Sequence, residues 1–368
     1  PMGALRAAAA RLRCRHGGLD RWAFGVGLGL APAAALVAWT IIWYSGAVVC
    51  VITSKLLLDR FPSHPWTLTC WQFLVTAICC RTWLAATPGA SRRPPEASKA
   101  QWRLCFAEGV TIYLGLVSTN TAFGLMSASL VETIKATEPI PQVAIAAVLM
   151  GEGWAPLPER LALAVIVVGV MLMSYAESTF VLTGLLATLS ANLNFALANN
   201  VSKASFARRD RLDPLNFWYR AVQVSALAAL PAALVEVRAH GLAPAPLGGA
   251  PGRTEPGAAA GGAVGPVDAA GAGVLEDLPV ALVNGVAFFL YNQAACAVID
   301  RVSMSVHAVL NSVRRGVLIA STAVYFGSGA SPTNLLGAMV STVGFVFFLS
   351  EKASSADGSC LRPTRPLV

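Results

Sequence analysis

Apolar residues along this chain do not alternate with polar ones; they run in blocks. The blocks fall at about 36–58, 66–88, 104–125, 128–150, 159–176, 181–202, 215–236, 279–299, 303–326 and 332–350. Each has about the 20 residues that a helix needs to cross the hydrocarbon of a bilayer. A membrane barrel would instead show segments of about ten residues with strict alternation, and none is present. The pattern therefore predicts an all-α polytopic membrane protein of about ten transmembrane helices. Flanking the array are a basic segment at 1–30 and a tail at 353–368, so the membrane domain covers 31–352.

Composition agrees with the pattern. Hydrophobic residues make up 55% of the 368 positions and charged ones 12%, with a mean hydropathy of +0.61, which excludes an ordinary soluble domain. The net charge of +8 is not a nucleic-acid signal, because the basic residues gather at helix ends rather than in a soluble patch. They report topology instead. Arg6, Arg11, Arg13, Arg15 and Arg21 precede the first block, Arg92, Arg93 and Lys99 occupy the second loop, and Arg208, Arg209 and Arg211 the sixth. Lys352, Arg362 and Arg365 follow the last, while the odd-numbered loops are poor in Lys and Arg. By the positive-inside rule both termini and the even loops share one side, the cytosolic one for conventional insertion. The Ala- and Arg-rich start reads equally as a transit-like segment or as a basic flank that orients the first helix. A Gly/Ala/Pro-rich connection at about 238–275 reads as a flexible linker. Cys50, Cys70, Cys79, Cys80, Cys105 and Cys296 fall inside the blocks with no zinc-like spacing and read as small apolar residues.

Short matches recur between the halves. Ser54-Lys55 closes the first block and Ser202-Lys203 the sixth, 148 residues on (202 − 54), while Ser127-Ala128-Ser129 opens the fourth and Ser303-Met304-Ser305 the ninth, 176 residues on (303 − 127). The offsets differ by about the excess length of the linker. They predict two five-helix repeats, about 36–176 and 181–350, of inverted topology because each holds an odd number of spans. Many secondary transporters are built so, with the substrate at the repeat interface near the midplane.

Charge inside the blocks marks the candidate site. In the fourth block Glu132, Lys135, Glu138 and Gln142 are spaced by three or four, which predicts one stripe on one helix face. In the ninth, His307, Asn311 and Arg314 share a face, with Arg315 turned by about 100°. Intramembrane ionisable residues are expensive and mark ligand pathways. Lys135, Arg314 and Arg315 read as a site for an anion, with Glu132 and Glu138 restraining them. The rival reading makes them structural pins, since buried charges are usually paired. Tyr291, Thr119 and Asn120 add hydrogen-bonding groups, His307 a proton-sensitive one, and Lys203 a gate. The tryptophans Trp66, Trp71, Trp102 and Trp218 read as interfacial belts and Lys55 as a snorkelling lysine. No G-x-S-x-G, H-E-x-x-H or phosphate-binding glycine loop occurs, so the chain does not read as an enzyme and implies no metal or cofactor.

Three patches resemble the triose-phosphate translocator family of the drug/metabolite transporter superfamily. Thr133, Lys135, Ala136, Glu138 and Pro139 follow its T-x-K-A-x-E-P segment. Tyr291-Asn292-Gln293, followed by Arg301-Val302 and His307-Ala308-Val309, is similar to Y-N-Q…E-R-V-x-x-x-x-H-A-V. Asn311, Arg314 and Arg315 stand where plastid members carry N-x-x-K-R. The resemblance implies a ten-helix antiporter that exchanges a sugar or triose phosphate for inorganic phosphate, with the phosphate held by Lys135, Arg314, Arg315, Tyr291 and Thr119. The chain departs from that pattern at Arg314, a lysine in the family, at Leu116 and Glu132, both histidines, and at Ala198, often an arginine. The partners implied are a phosphorylated small molecule, inorganic phosphate and the bilayer, with no nucleic acid and no obligate protein. A nucleotide-sugar or other organic-anion carrier, and a non-transporting helical scaffold, stay open beside it. For location the plastid inner envelope stands beside the Golgi or another endomembrane.

Overall fold

The apolar blocks fold as helices. The computed structural model describes residues 32–86, 97–138, 156–176, 179–206, 214–241, 267–301 and 304–327, with isolated residues within 140–145, 208–212 and 336–350. The basic start, the tail and most of the linker lie outside the described residues. The helices are α1 (Pro32–Arg60), α2 (Pro65–Ala86), α3 (Lys99–Leu125), α4 (Ala128–Lys135), α5 (Leu157–Ala176), α6 (Leu182–Phe206), α7 (Pro214–His240), α8 (Val267–Arg301) and α9 (Met304–Phe326). Further helical residues occur within 336–350, and no strand occurs among the described residues. Helix α8 begins at Val267, inside the stretch that composition assigns to the linker.

Four of these segments are long and apolar enough to cross a membrane by length and composition: Ala34–Arg60, Pro65–Ala86, Leu215–His240 and Glu276–Val298. Helices α3 and α6 are as long, at 27 and 25 residues, but carry polar residues such as Glu108, Asn120 and Asn192 that the fold buries. The outward surface is apolar, with Ile41, Ile78, Leu227 and Val324 all more than half exposed. That inversion of the soluble pattern suits a lipid solvent.

The helix ends are closed by named groups. Ser98 caps α3 by accepting from the Gln101 amide at 3.1 Å, and Ser127 caps α4 by accepting from Leu130 at 3.4 Å. At the start of α2 the Trp66 and Thr67 amides donate to Glu236 of α7 at 3.2 and 2.6 Å, a carboxylate at the positive end of a helix. Lys55 does not snorkel. Its ammonium donates to the Phe123 carbonyl at 2.9 Å and so occupies an orphan acceptor at the C-terminus of α3, steadied by Asp59 at 2.7 Å. Of the tryptophans, Trp66 and Trp102 are exposed. Trp71 is held inside by its indole bond to the Ala281 carbonyl at 2.7 Å, and Trp218 packs within apolar clusters.

Helix α3 packs along α6 and α8 along α1; α2 lies against α7; α3 also meets α7, and α8 meets α2. Helices α4 and α9 face each other, with α6 beside the first and α1 beside the second. Two glycines permit the closest crossings. A Cβ at Gly109 would stand 2.6 Å from the Ala221 carbonyl oxygen of α7, and one at Gly285 would stand 2.7 Å from the Val75 Cβ of α2. Small residues at such contacts let helix backbones approach where no hydrophobic effect drives them together.

The crossing of α1, α2, α3 and α8 encloses a buried amide network. The Asn120 amide donates to Thr69 and to the Gln72 carbonyl oxygen, both at 2.9 Å. Gln72 in turn donates to Ser54 at 3.1 Å and Asn284 at 2.9 Å. Asn284 reaches the Cys50 carbonyl at 3.0 Å and Ser54 at 2.9 Å. Asn284→Ala is expected to cost about 1–3 kcal/mol, because it removes one of the two oxygen acceptors of the buried Gln72 amide and the donor to the Cys50 carbonyl. Thermal unfolding in detergent checks this against Asn200→Ala, whose amide, among the described residues, bonds the Ala196 carbonyl of its own helix at 2.8 Å; equal losses would refute it. On the other side of the bundle Ser202 donates to Glu108 at 2.8 Å, and the Arg220 guanidinium lies over Trp102 at 4.8 Å.

Candidate functional site

The fourth apolar block does not run as one helix. Helix α4 stops at Lys135, residues 136–138 form a turn, and helix resumes at Ile140. The sequence accounts for the stop: Pro139 offers no N–H and disfavours helix in Glu138 before it. The Thr137 hydroxyl donates instead to the Ile134 carbonyl at 2.8 Å. Glu132, Lys135, Glu138 and Gln142 are therefore not the continuous stripe that their spacing predicts. Glu138 stands in the turn, and Gln142 lies outside the described residues.

The break brings both carboxylates onto one cation. Arg315, 5% exposed, forms an ion pair through Nη2 with Glu138, while its Nη1 lies 3.7 Å from Glu132. Glu132, 2% exposed, also lies 3.6 Å from the Lys135 ammonium. Lys135 sits over the Phe195 ring of α6 at 5.4 Å, within the range of a cation–π contact. Asn199 of α6 donates to the free side of Glu138 at 3.3 Å. Among the described residues the buried Nη1 of Arg315 has no hydrogen-bond partner. A buried donor left unmade costs about 1–3 kcal/mol.

Arg314 turns the other way, as the angle between adjacent helical residues requires. Its guanidinium donates to Asn311 at 2.9 and 3.1 Å and lies 5.5 Å from the Trp43 ring of α1. Beside it the Tyr44 hydroxyl donates to the Leu310 carbonyl of α9. On the opposite flank Asn192 of α6 donates to the Ile134 carbonyl of α4 at 3.2 Å and to Thr137 at 3.0 Å. Each cation-bearing helix is thus held at a carbonyl near its cations, Ile134 beside Lys135 and Leu310 four residues before Arg314. Tyr291 packs with Trp43 in one apolar cluster and meets Phe288 edge to face at 5.5 Å.

The remaining candidates stand elsewhere. Thr119 is buried and its hydroxyl donates to Gly115 of its own helix at 2.9 Å, and Asn120 belongs to the amide network. The side chains of His307 and Lys203 lie outside the described residues. Sequence reasoning missed Trp43, Phe195, Asn192 and Tyr44, because an aromatic or amide in an apolar helix carries no mark of which cation or carbonyl it will meet. Leu116 and Ala198, two of the departures from the resembled pattern, lie in one buried apolar cluster with Cys50 and Phe73. A cavity of about 270 Å³ opens between the end of α1, the start of α2 and α8, lined by Leu57, Leu68, Trp71 and Leu278. Its lining is mainly apolar, with His64, Thr67 and Asp277 among the apolar side chains, and it shares no residue with the cation cluster.

The sequence profile of the Triose-phosphate Transporter family matches residues 34–349. The chain is 27% identical over 312 residues to a phosphoenolpyruvate/phosphate translocator 2, chloroplastic, of Arabidopsis thaliana, covering 84% of this chain and 75% of that protein. It is 24% identical over 326 residues to a triose phosphate/phosphate translocator, chloroplastic, of Spinacia oleracea, covering 88% and 73%. It is 28% identical over 315 residues to a xylulose 5-phosphate/phosphate translocator, chloroplastic, of Arabidopsis thaliana, covering 85% and 69%.

Proposed function

The chain belongs to the Triose-phosphate Transporter family, and from that premise we propose that it is a secondary antiporter of the plastid inner envelope that exchanges a phosphorylated metabolite for inorganic phosphate by alternating access. One observation carries the reading: the buried Arg315 fork, fixed by Glu138 on one side, keeps an unmatched donor beside Lys135 and Glu132. A phosphate group carries about −1.5 to −2 charge and three acceptor oxygens, and a planar guanidinium fork suits it. Lys135 and Arg315 form the inner pair of ligands. Arg314 and Tyr291 complete the phosphate site, and Asn311 orients Arg314.

The membrane domain comprises ten helices in two inverted repeats. Support comes from pairs of contacts related by the same two offsets. Gly109 and Gly285, 176 residues apart (285 − 109), each admit a close crossing by the second helix of the opposite half. Tyr44 and Asn192, 148 apart (192 − 44), each donate to a carbonyl on the opposite half, and their acceptors Leu310 and Ile134 are again 176 apart (310 − 134). The substrate site at the α4–α9 contact lies at the junction of the halves, as in other inverted-repeat carriers.

Counter-exchange in liposomes tests the reading. Vesicles holding the purified protein and loaded with phosphate should take up labelled phosphate at least tenfold faster than anion-free vesicles, since a site left with excess positive charge is slow to reorient. Equal rates would sink the exchange mechanism.

A further inference from the structure

Resting on that proposed transport, we infer that Glu132 sets the charge of the cargo: the site takes phosphate and phosphate esters as monoanions rather than dianions. Among the described residues the site holds three cations, Lys135, Arg314 and Arg315, and two carboxylates, Glu132 and Glu138. The balance is one positive charge. A monoanion brings the loaded site to neutrality, whereas a dianion leaves one excess negative charge. Moving uncompensated charge through a low-dielectric interior is costly, so the neutral complex reorients best.

The position of Glu132 keeps it in that balance. It lies between Lys135 and Arg315, 3.6 Å from one and 3.7 Å from the other, and is 2% exposed. A cargo oxygen can use the unmatched Nη1 of Arg315 and the remaining donors of Lys135 without expelling the carboxylate. The carboxylate therefore stays as a fixed anion beside the cargo and repels a second negative charge. Among the described residues the other titratable groups within electrostatic reach of Glu132 are Arg314 on α9, Cys50 on α1 and Tyr291 on α8. Helix α6 contributes the uncharged Asn192 and Phe195 beside α4, and α5 contributes Ala162, Ile166 and Val170.

Labelled phosphate exchange in liposomes at low phosphate, measured at pH 8 and pH 6, reads the cargo charge directly, because the second proton of a phosphate group dissociates between acid and neutral pH. In the wild type the rate should rise about fivefold as pH falls and the monoanion accumulates. Sulfate, a dianion at both values, should compete weakly. In Glu132→Gln the balance becomes two positive charges, so the rate should fall with pH, and sulfate should compete at least tenfold more strongly than in the wild type. A wild-type rate that is flat or falls toward pH 6, or equal sulfate competition in both proteins, overturns the inference while leaving phosphate transport in place. Loss of all phosphate exchange in the wild type overturns the transport reading and this one with it. The wild-type profile stands as a test even where the variant fails to fold.

Discussion

Arg315→Ala is expected to lower phosphate exchange about 100-fold or more, because it deletes the charged donor fork at the centre of the site, and each charged hydrogen bond contributes about 1.5–3 kcal/mol. The same change should destabilise the fold by about 3–5 kcal/mol, since Glu132 and Glu138 then stay buried with less compensating charge. The two effects separate in the double variant Arg315→Ala with Glu138→Gln. Removing the stranded carboxylate should restore much of the thermal stability and none of the exchange. Arg315→Lys should fold well and exchange at about a tenth of the wild-type rate, as a point charge replaces a fork. Recovery of exchange together with stability in the double variant would reduce Arg315 to a structural pin.

Gly109→Ala should destabilise the protein by about 1–3 kcal/mol, whereas Gly124→Ala, in the same helix, should be neutral or gain up to about 1 kcal/mol from helix propensity. At Gly109 the new methyl meets the Ala221 carbonyl oxygen and the Val224 Cβ, both at 2.6 Å, and backbone cannot yield cheaply; at Gly124 the nearest atom is the Pro62 carbonyl oxygen at 3.7 Å. Thermal scans of the two variants in one detergent give opposite signs if the α3–α7 crossing is as close as described. Matching signs would mean that helix propensity or chance, not the crossing, decides the outcome.

Helix existence was legible in the sequence because burial in lipid demands long apolar runs, and the predicted blocks overlie α1 to α9 with ends displaced by a few residues, apart from α4 and the early start of α8. The end of α4 was the informative miss. Spacing put Glu132, Lys135, Glu138 and Gln142 on one stripe, and said nothing of the chain stopping helix at Lys135 and turning Glu138 toward Arg315. Residue types at the site were equally legible, since charge in an apolar run has few bland explanations. Pairing was not. Spacing along one helix says which residues share a face, but Arg315 rather than Arg314 meets Glu138 only because α9 presents that side to α4. The amide network was invisible for the same reason. Gln72 and Asn284 are ordinary polar residues in their own helices and acquire partners only when α1, α2, α3 and α8 cross.

Every member of the amide network is neutral: it closes the crossing of α1, α2, α3 and α8 with amides and hydroxyls alone. Amide contacts hold alike in dilute and concentrated salt, whereas ionic ones weaken as the Debye length shrinks. This crossing therefore keeps its grip whatever the ionic strength of the solution on either side.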